Sequence, residues 1–302
     1  MTSMPQHSSR TKAQPIDTFA LMSIKSLELR AKIVVQGFWN GLHRSPYHGF
    51  SVEFSEYRAY TPGDDPRYLD WRLYGRSDRY YIKKFEDETN LRCHLLLDQS
   101  RSMDFGSPGY SKVDFARTLA ATLAYFLYLQ GDAVGLLSFS QTVREYLPAR
   151  HKRGHMRRIF LAMERPSDGQ STDLEHPLQR IGELVRKPGL LVLVSDFLVP
   201  LEPFEQRLAQ LRARGHELVL FQVLDPQETE FKFEKDMLFE DIESGKSHFI
   251  DPVTIRKSYL QKLRAHQTQL QSVANKLGIK FVTTRSDARL DHLLLQFLRE
   301  RQ

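Results

Sequence analysis

Six polar side chains stand where an apolar segment ends or a helical pattern begins. They are Asp98, Ser100 and Ser102 after the run LRCHLLLD, Ser171 and Thr172 before the run DLEHPL, and Asp196 at the end of GLLVLVSD. Carboxylates and hydroxyls are hard oxygen donors, which Mg²⁺, Mn²⁺ and Ca²⁺ prefer and which suit zinc and copper poorly. The candidate metal ligands are therefore Asp98, Ser100, Ser102, Thr172 and Asp196.

Each of these side chains alone also has a purely structural explanation. Asp and Ser are favoured at turns and helix caps, so Asp98 and the two serines after it could simply form a turn. Thr172 is placed to cap the helix that begins DLEHPL, with Glu175 as its capping-box partner, and the adjacent Ser171 could replace it as a ligand. The order of the groups along the chain, each at a strand end or helix start, favours the metal site.

Short apolar runs alternate with amphipathic helical patterns from residue 91 onward. The runs DAVGLLSFS, GLLVLVSD and HELVLFQVLD predict buried strands, and SKVDFARTLAATLAYFLYLQ predicts a helix with a capping box from Ser111 to Asp114. This alternation predicts an α/β fold with a largely parallel sheet covered by helices on both faces. In such folds ligands bind at the carboxyl ends of the strands, where we expect the polar groups to meet.

The chain divides by composition into three parts. Residues 1–20 are polar and predict a disordered tail. Residues 21–88 predict an amphipathic helix followed by a segment dense in aromatic residues and arginines, and residues 89–302 predict the α/β domain. Within that domain, residues 225–252 interrupt the alternation and predict a small hairpin insertion.

The composition limits the class of protein. Of the 302 residues 41% are hydrophobic and 26% are charged, which is typical of soluble globular proteins. The single cysteine, Cys93, excludes an internal disulfide and a metal site built from cysteines. The N-terminus lacks the apolar core of a secretory signal, and the apolar stretch 118–129 is shorter than the ~20 residues that a membrane span needs. We therefore expect a cytoplasmic protein without a membrane span.

Two other functions compete with ion binding. Asp98 could be the nucleophile of a Mg²⁺-dependent phosphotransferase, but such enzymes carry a second acidic residue two positions on, where this chain has Ser100. The net charge is +6, and the basic run at residues 144–158 could bind nucleic acid, but no RNA-binding aromatic signature or zinc-finger spacing accompanies it. We expect a non-enzymatic protein that does not bind nucleic acid.

The set of candidate ligands resembles the metal-ion-dependent adhesion site of von Willebrand factor type A-like domains. The pattern of that site is Asp-x-Ser-x-Ser, then a Thr, then an Asp after a later strand. The upstream segment resembles the signature of the bacterial "domain of unknown function 58" family. The matching residues are Ser45, Gly49, Glu53, Phe54, Arg58, Tyr60, Gly63, Asp64, Asp65, Asp70, Trp71 and Arg72.

The two resemblances together imply a fold and a role. They span roughly residues 25–300 and imply a von Willebrand A-like domain, Rossmann-like in architecture, with a bound Mg²⁺, Mn²⁺ or Ca²⁺. They also imply association with a MoxR-type AAA+ ATPase in a chaperone-like role. An acidic side chain of a client or partner protein would then dock on the bound ion.

Overall fold

The structure is a computed structural model that describes residues 17–42, 57–59, 75, 81–83, 91–167, 174–233, 237–240 and 247–299. Within these residues the helices are α1 Thr18–Met22, α2 Leu27–Leu42, α3 Lys112–Leu129, α4 His155–Met163, α5 Glu175–Leu184, α6 Leu201–Ala213, α7 Pro226–Glu230, α8 Pro252–Leu277 and α9 Leu290–Arg299. The strands are β1 Tyr57–Ala59, β2 Tyr81–Lys83, β3 Arg92–Asp98, β4 Ala133–Phe139, β5 Val143–Arg150, β6 Leu190–Ser195, β7 Glu217–Leu224, β8 Met237–Glu240, β9 Ser247–Ile250 and β10 Lys280–Arg285.

Six strands form the central sheet in the order β10-β7-β6-β3-β4-β5. All neighbouring strands are parallel except β4 and β5, which pair antiparallel. The central strands are buried on both faces because helices cover both, as their continuous Leu and Val runs predict. The α/β fold with a largely parallel sheet is therefore confirmed.

The chain reverses its direction of travel across the sheet next to β3. From β3 it passes through α3 to β4 on one side, whereas β6, β7 and β10 extend the sheet on the other side. The carboxyl ends of β3 and β6 thus lie at a topological switch point, where the connections diverge and leave a crevice.

Two layers of helices enclose the sheet. One apolar layer contains residues from α5, α6 and α8 packed against Leu96, Leu193 and Leu220 of the sheet. On the other side α3 is almost entirely buried, because its face of Ala and Leu residues is continuous. Its start is fixed by the predicted capping box, in which the Ser111 side chain and the Asp114 backbone N–H are paired.

The N-terminal region differs from the single helix that the pattern over residues 21–42 predicts. Two helices, α1 and α2, occupy this stretch, and α1 begins at Thr18, inside the stretch predicted to be a disordered tail. Thr18 is buried and donates a hydrogen bond to the Ala288 carbonyl, 3.0 Å away. α2 packs along α3, where the Phe38 and Phe126 rings meet edge to face at 6.0 Å.

The chain forms two compact units. One comprises Met1–Gly41 and Leu91–Gln302, and the other comprises Leu42–Asn90. In the second unit β1 and β2 pair antiparallel. In the first unit β8 and β9 form an antiparallel hairpin between α7 and α8. Among the described helices, none combines the length and the apolar character that crossing a membrane demands.

Candidate ion site at the carboxyl edge of the sheet

The two candidate aspartates lie side by side at the switch point. Asp98 is the last residue of β3, and Asp196 follows β6 directly. Because Leu97 pairs with Val194 in the parallel register, both strands end at the same level. Asp98 and Asp196 are both fully buried, with 0% of each residue exposed. Because both carboxylates are buried, their negative charges must be compensated by nearby donors or cations at this edge of the sheet.

Asp98 accepts hydrogen bonds from neutral donors on both carboxylate oxygens. The backbone N–H of Ser100 donates to Oδ1 at 2.9 Å, and the Ser195 hydroxyl donates to Oδ2 at 2.6 Å. The Ser195 hydroxyl also accepts from the backbone N–H of Phe197 at 3.1 Å, which ties the end of β3 to the loop after β6. No Lys, Arg or His side chain among the described residues forms an ion pair with Asp98.

Ser100 and Ser102 continue from Asp98 into a tight turn. Residues 101–104 form one turn of 3₁₀-helix, and the Met103 N–H donates to the Ser100 carbonyl at 3.1 Å. This curvature brings the two hydroxyl oxygens to 3.2 Å from each other. Ser100 is fully buried, whereas Ser102 is partly exposed. The loop therefore presents two hydroxyls on one side, from the interior to the surface.

Asp196 is held from three directions. Lys112 donates to its Oδ2 at 3.0 Å, the Leu198 N–H lies 3.3 Å from its Oδ1, and the Gln222 side chain donates to its carbonyl at 2.9 Å. The next residue, Phe197, has φ 54°, a left-handed conformation that is unusual for a bulky side chain. Such strain is typical of functional loops, and here the buried ring of Phe197, packed on Phe204 at 5.5 Å, keeps the turn in place.

A buried lysine completes the charged groups of the site. Lys112, the first residue of α3, has a fully buried side chain whose ammonium contacts Asp196 and, at 2.7 Å, Oε1 of Glu228. Glu228 lies on α7, and its other oxygen accepts from the Asp225 N–H at 2.7 Å in a capping box. Lys112 therefore connects the loop after β6 to the helix after β7.

Burial and mutual repulsion shift the ionisation of these groups. Burial, with repulsion from Asp196, raises the pKa of Asp98 to about 7, against the hydrogen bonds from Ser195 and Ser100, which lower it. Burial alone lowers the pKa of Lys112, but Asp196 and Glu228 outweigh it, so the pKa lies above its usual value and the ammonium stays charged. Burial also raises the pKa of Glu228, and Lys112 opposes that rise. An additional cation would favour the ionised form of Asp98.

Four of the five predicted ligands are brought to this edge, and the fifth cannot be placed. Asp98, Ser100 and Ser102 share one turn, and Asp196 lies on the adjacent strand end. Thr172 and its alternative Ser171 lie outside the described residues. Ser167, which is described, donates to the Gln99 carbonyl at 2.8 Å and therefore lies beside the turn that follows β3.

The donors present fit a hard divalent ion that keeps some of its waters. Two carboxylates and two hydroxyls are oxygen ligands of the kind that Mg²⁺ accepts. In the part of the chain that the structure describes, no cluster of three or more His, Cys, Asp and Glu side chains is arranged to hold a metal ion. An ion here would therefore depend on hydroxyl and water ligands, as the sequence pattern indicates.

Sequence reasoning did not identify three polar side chains that contact the candidate ligands or Lys112 at this edge, namely Ser195, Lys112 and Glu228. Ser195 could have been found from its position directly before Asp196 at the end of a buried strand. Lys112 carries a clearer signal, because it shares the helical face of Ala116 and Leu119, which is otherwise apolar. No sequence signal that we recognise indicates that Glu228 turns toward Lys112.

The fold and the site define an α/β protein with a pair of buried carboxylates at the switch point of its sheet. The family model described as "Protein of unknown function DUF58" matches residues 56–269, and the chain belongs to that family. An uncharacterized protein of Mycobacterium bovis is 29% identical over 270 residues, covering 88% of this chain and 84% of its own.

Two solved structures are similar in part of the chain. One is an aerotolerance-related membrane protein from Bacteroides fragilis, with a TM-score of 0.48 and 13% identity over 70% of this chain and 99% of that one. The other is the VWA domain of SpRpn10, with a TM-score of 0.41 and 11% identity over 68% of this chain and 95% of that one.

Proposed function

We propose that this protein is a non-enzymatic interaction module that binds a divalent cation at the carboxyl edge of its sheet. The ion is Mg²⁺, or Mn²⁺ or Ca²⁺, and its ligands are Asp98, Ser100, Ser102 and Asp196, together with Thr172. When bound, the ion supplies a positive centre with an open coordination position for a carboxylate of a partner protein. The function of the site is thus to hold an acidic side chain.

One observation carries the proposal: Asp98 is a fully buried carboxylate without a cationic partner among the described residues. Burying an unpaired charge is costly unless a counter-ion compensates it. Lys112 does not fill that role for Asp98, because its ammonium is engaged by Asp196 and Glu228. A divalent ion beside Asp98 and Asp196 would remove the repulsion between them.

The resemblance to von Willebrand A-like domains of the DUF58 family supports the choice of partner. We propose a MoxR-type AAA+ ATPase as the stable partner, and an acidic client protein as the one held on the ion. The protein would act with the ATPase in a chaperone-like role in the cytoplasm. Exposure of Ser102 at the rim supports approach from outside, since the two aspartates themselves are covered.

The test is ion binding by wild type and by Asp98→Asn, measured by isothermal titration calorimetry with Mg²⁺. An Asn side chain can keep both hydrogen bonds of Asp98, because the Ser195 hydroxyl can accept as well as donate. We expect the substitution to weaken Mg²⁺ binding at least tenfold, since one of two charged ligands is lost. Mg²⁺ should raise the melting temperature of the wild type and leave that of the variant unchanged.

Glu183→Gln is the matched control, because it also converts a carboxylate to an amide. Glu183 is exposed on α5 near the opposite edge of the sheet, and its ion pair with Arg180 lies at the surface. We expect this variant to bind Mg²⁺ as the wild type does.

Partner binding is then measured with the purified MoxR-type ATPase of the same organism, in Mg²⁺ and in chelator. Equal capture in both, or equal ion binding by Asp98→Asn, would show the proposal to be wrong.

Lys112 also favours the phosphotransferase alternative, because enzymes with an aspartate nucleophile use a lysine near it. Against this alternative, position 100 holds the buried hydroxyl of Ser100 where such enzymes carry a second carboxylate. Incubation with acetyl phosphate and Mg²⁺, followed by intact-mass spectrometry, separates the two functions. We expect no mass increase of a phosphoryl group, and an increase that Asp98→Asn abolishes would favour the enzyme.

A further inference from the structure

Lys112 is unusual among the lysines of the described residues, because its side chain has no exposed surface. It is also the first residue of α3, where the positive end of the helix dipole disfavours a cation. Two carboxylates compensate this arrangement, Asp196 at 3.0 Å and Glu228 at 2.7 Å. A structural ion pair needs one partner, so the second carboxylate requires an explanation.

The charges at this edge do not cancel when Lys112 is counted. Among the described residues, the buried or nearly buried carboxylates that interact with one another or with Lys112 are Asp98, Asp196 and Glu228. With Asp98 in the ionised form that a bound ion favours, these three carboxylates and one ammonium carry a formal charge of −2. Asp225 is also buried nearby, but the ion pairs of Lys112 with described residues are those to Asp196 and Glu228, and Asp225 instead caps the start of α7 with bonds from Ser107 and Gln227. The residual charge equals that needed to balance one divalent ion.

We infer that Lys112 is a tethered cation that sets the charge of the ion site at −2 and makes it selective for divalent over trivalent ions. The inference rests on the proposed ion binding and adds a specificity-determining residue that does not itself contact the ion. Lys112 occupies Oδ2 of Asp196, so the oxygen that would face an ion is Oδ1, whose one donor among the described residues is the Leu198 N–H at 3.3 Å. Glu228 contributes charge from behind Lys112 without being a ligand.

The charge of the site can be changed in both directions with two substitutions. Lys112→Met gives a formal charge of −3, Glu228→Gln gives −1, and the double variant Lys112→Met/Glu228→Gln restores −2. At an effective dielectric constant of about 20, one unit of site charge at about 6 Å changes the preference between ions differing by one charge roughly a hundredfold. Because solvent and salt reduce this effect, we expect changes of at least tenfold.

The experiment measures association constants for Tb³⁺ and Mg²⁺ by isothermal titration calorimetry and takes their ratio as the selectivity. We expect the ratio to rise at least tenfold in Lys112→Met, to fall at least tenfold in Glu228→Gln, and to return to within threefold of wild type in the double variant. Lys257→Met, the same substitution at an exposed lysine of α8, should leave the ratio unchanged. Restoration by the double variant is the outcome that a purely structural lysine would not give.

The result that contradicts the role of Lys112 differs from the result that contradicts the proposed ion binding. A ratio within threefold of wild type in all the variants, with Mg²⁺ binding still weakened at least tenfold by Asp98→Asn, contradicts the role of Lys112 and leaves the proposed ion site in place. A wild type that binds neither ion overturns both. If Lys112→Met does not fold, Glu228→Gln still decides, because an unchanged ratio there contradicts the charge balance.

Discussion

The side chain at position 100 separates two kinds of chemistry at the end of β3. A carboxylate there would give Asp98 a second acidic neighbour, as metal-dependent phosphotransferases with an aspartate nucleophile require. Ser100 instead contributes a buried hydroxyl 3.2 Å from that of Ser102. Since hydroxyls bind a hard ion without adding negative charge, the residue types favour holding an ion over transferring a phosphoryl group.

His94 shows how strongly the same strand excludes water four residues before Asp98. It is 4% exposed, its ring stacks on Tyr146 with centroids 6.3 Å apart, and its Nδ1 has no hydrogen-bond partner among the described residues. Gly135 opposite makes room for the ring, since a Cβ there would lie 2.8 Å from His94 Cδ2. Burial, with smaller contributions from His216 and Arg92, lowers the pKa of His94 to about 4.

We predict that His94→Leu protects the protein against acid. The folded state keeps His94 neutral to about pH 4, whereas the unfolded chain protonates it near 6.5, so unfolding takes up a proton between these values. Stability is therefore lost as the pH falls through this window, by about 2 kcal/mol between pH 7 and pH 4.5. Urea unfolding at both pH values should show a correspondingly smaller loss for His94→Leu. His292→Leu, at an exposed position on α9, should lose as much as wild type, and equal losses for all three proteins would contradict the assignment.

At the scale of elements, the short helix α7 holds the end of β7 against the turn after β3. Asp225 precedes α7, is fully buried, and accepts from the Ser107 N–H at 2.8 Å and from the Gln227 N–H at 2.8 Å. The reciprocal bond from the Asp225 N–H to Glu228 closes the capping box. This cap therefore connects three segments and fixes the residue that contacts Lys112.

We predict that Asp225→Ala lowers the free energy of unfolding by about 2 kcal/mol, because it removes the cap and leaves the partly buried N–H of Ser107 without its acceptor. Asp225→Asn is the matched control, since Asn caps helices nearly as well as Asp and can still accept one of the bonds. It should cost less than half as much. Urea unfolding at pH 7 measures both, and similar losses for the two variants would show that the charge of Asp225 matters more than the cap.

Local patterns predicted the elements where a cap and a continuous apolar face coincide. The start of α3 is such a case, because Ser111 and Asp114 form a capping box before a long apolar face. The break between α1 and α2 was not predicted, since the apolar spacing continues across it. Ser26 marks the new start, as its hydroxyl accepts from the Leu29 N–H at 3.3 Å, and it could have been recognised as a cap.

Only those residues of the candidate site that lie at strand ends could be predicted from the sequence. Asp98 and Asp196 were predicted to meet because parallel strands end at one edge, and the register brings them together. Lys112 was not predicted, because a lysine in the first turn of a helix is ordinarily exposed. Its place on the otherwise apolar face of α3 indicates burial, but the carboxylates that pair with it come from α7 and from the loop after β6, which no local pattern contains.

Among the described residues, the candidate ion site and a cluster of exposed basic side chains lie at opposite ends of the strands of the central sheet. β5 is antiparallel to β4, so Arg150 pairs with Val134 near the amino end of β4, and α4 starts at that end. The exposed cations there, which form no ion pair with a described residue, are Arg150, Lys152, Arg153, Arg157 and Arg158. Because β3 has seven residues, the two ends are separated by roughly 20 Å.

This separation predicts that the two ends act independently. At physiological ionic strength the screening length is about 8 Å, so Lys152→Glu/Arg153→Glu should leave the affinity for Mg²⁺ within twofold of wild type.

The same variant tests the nucleic-acid alternative, by fluorescence anisotropy of a labelled 20-nucleotide strand between 50 and 200 mM salt. We expect at most weak, non-specific binding, because the aromatic rings beside these cations, Tyr128 and His151, already pack on each other with centroids 4.5 Å apart. Tight and steeply salt-dependent binding that the double variant removes would instead support nucleic acid as a partner. Loss of Mg²⁺ affinity in the variant would mean that the two ends are coupled through the sheet.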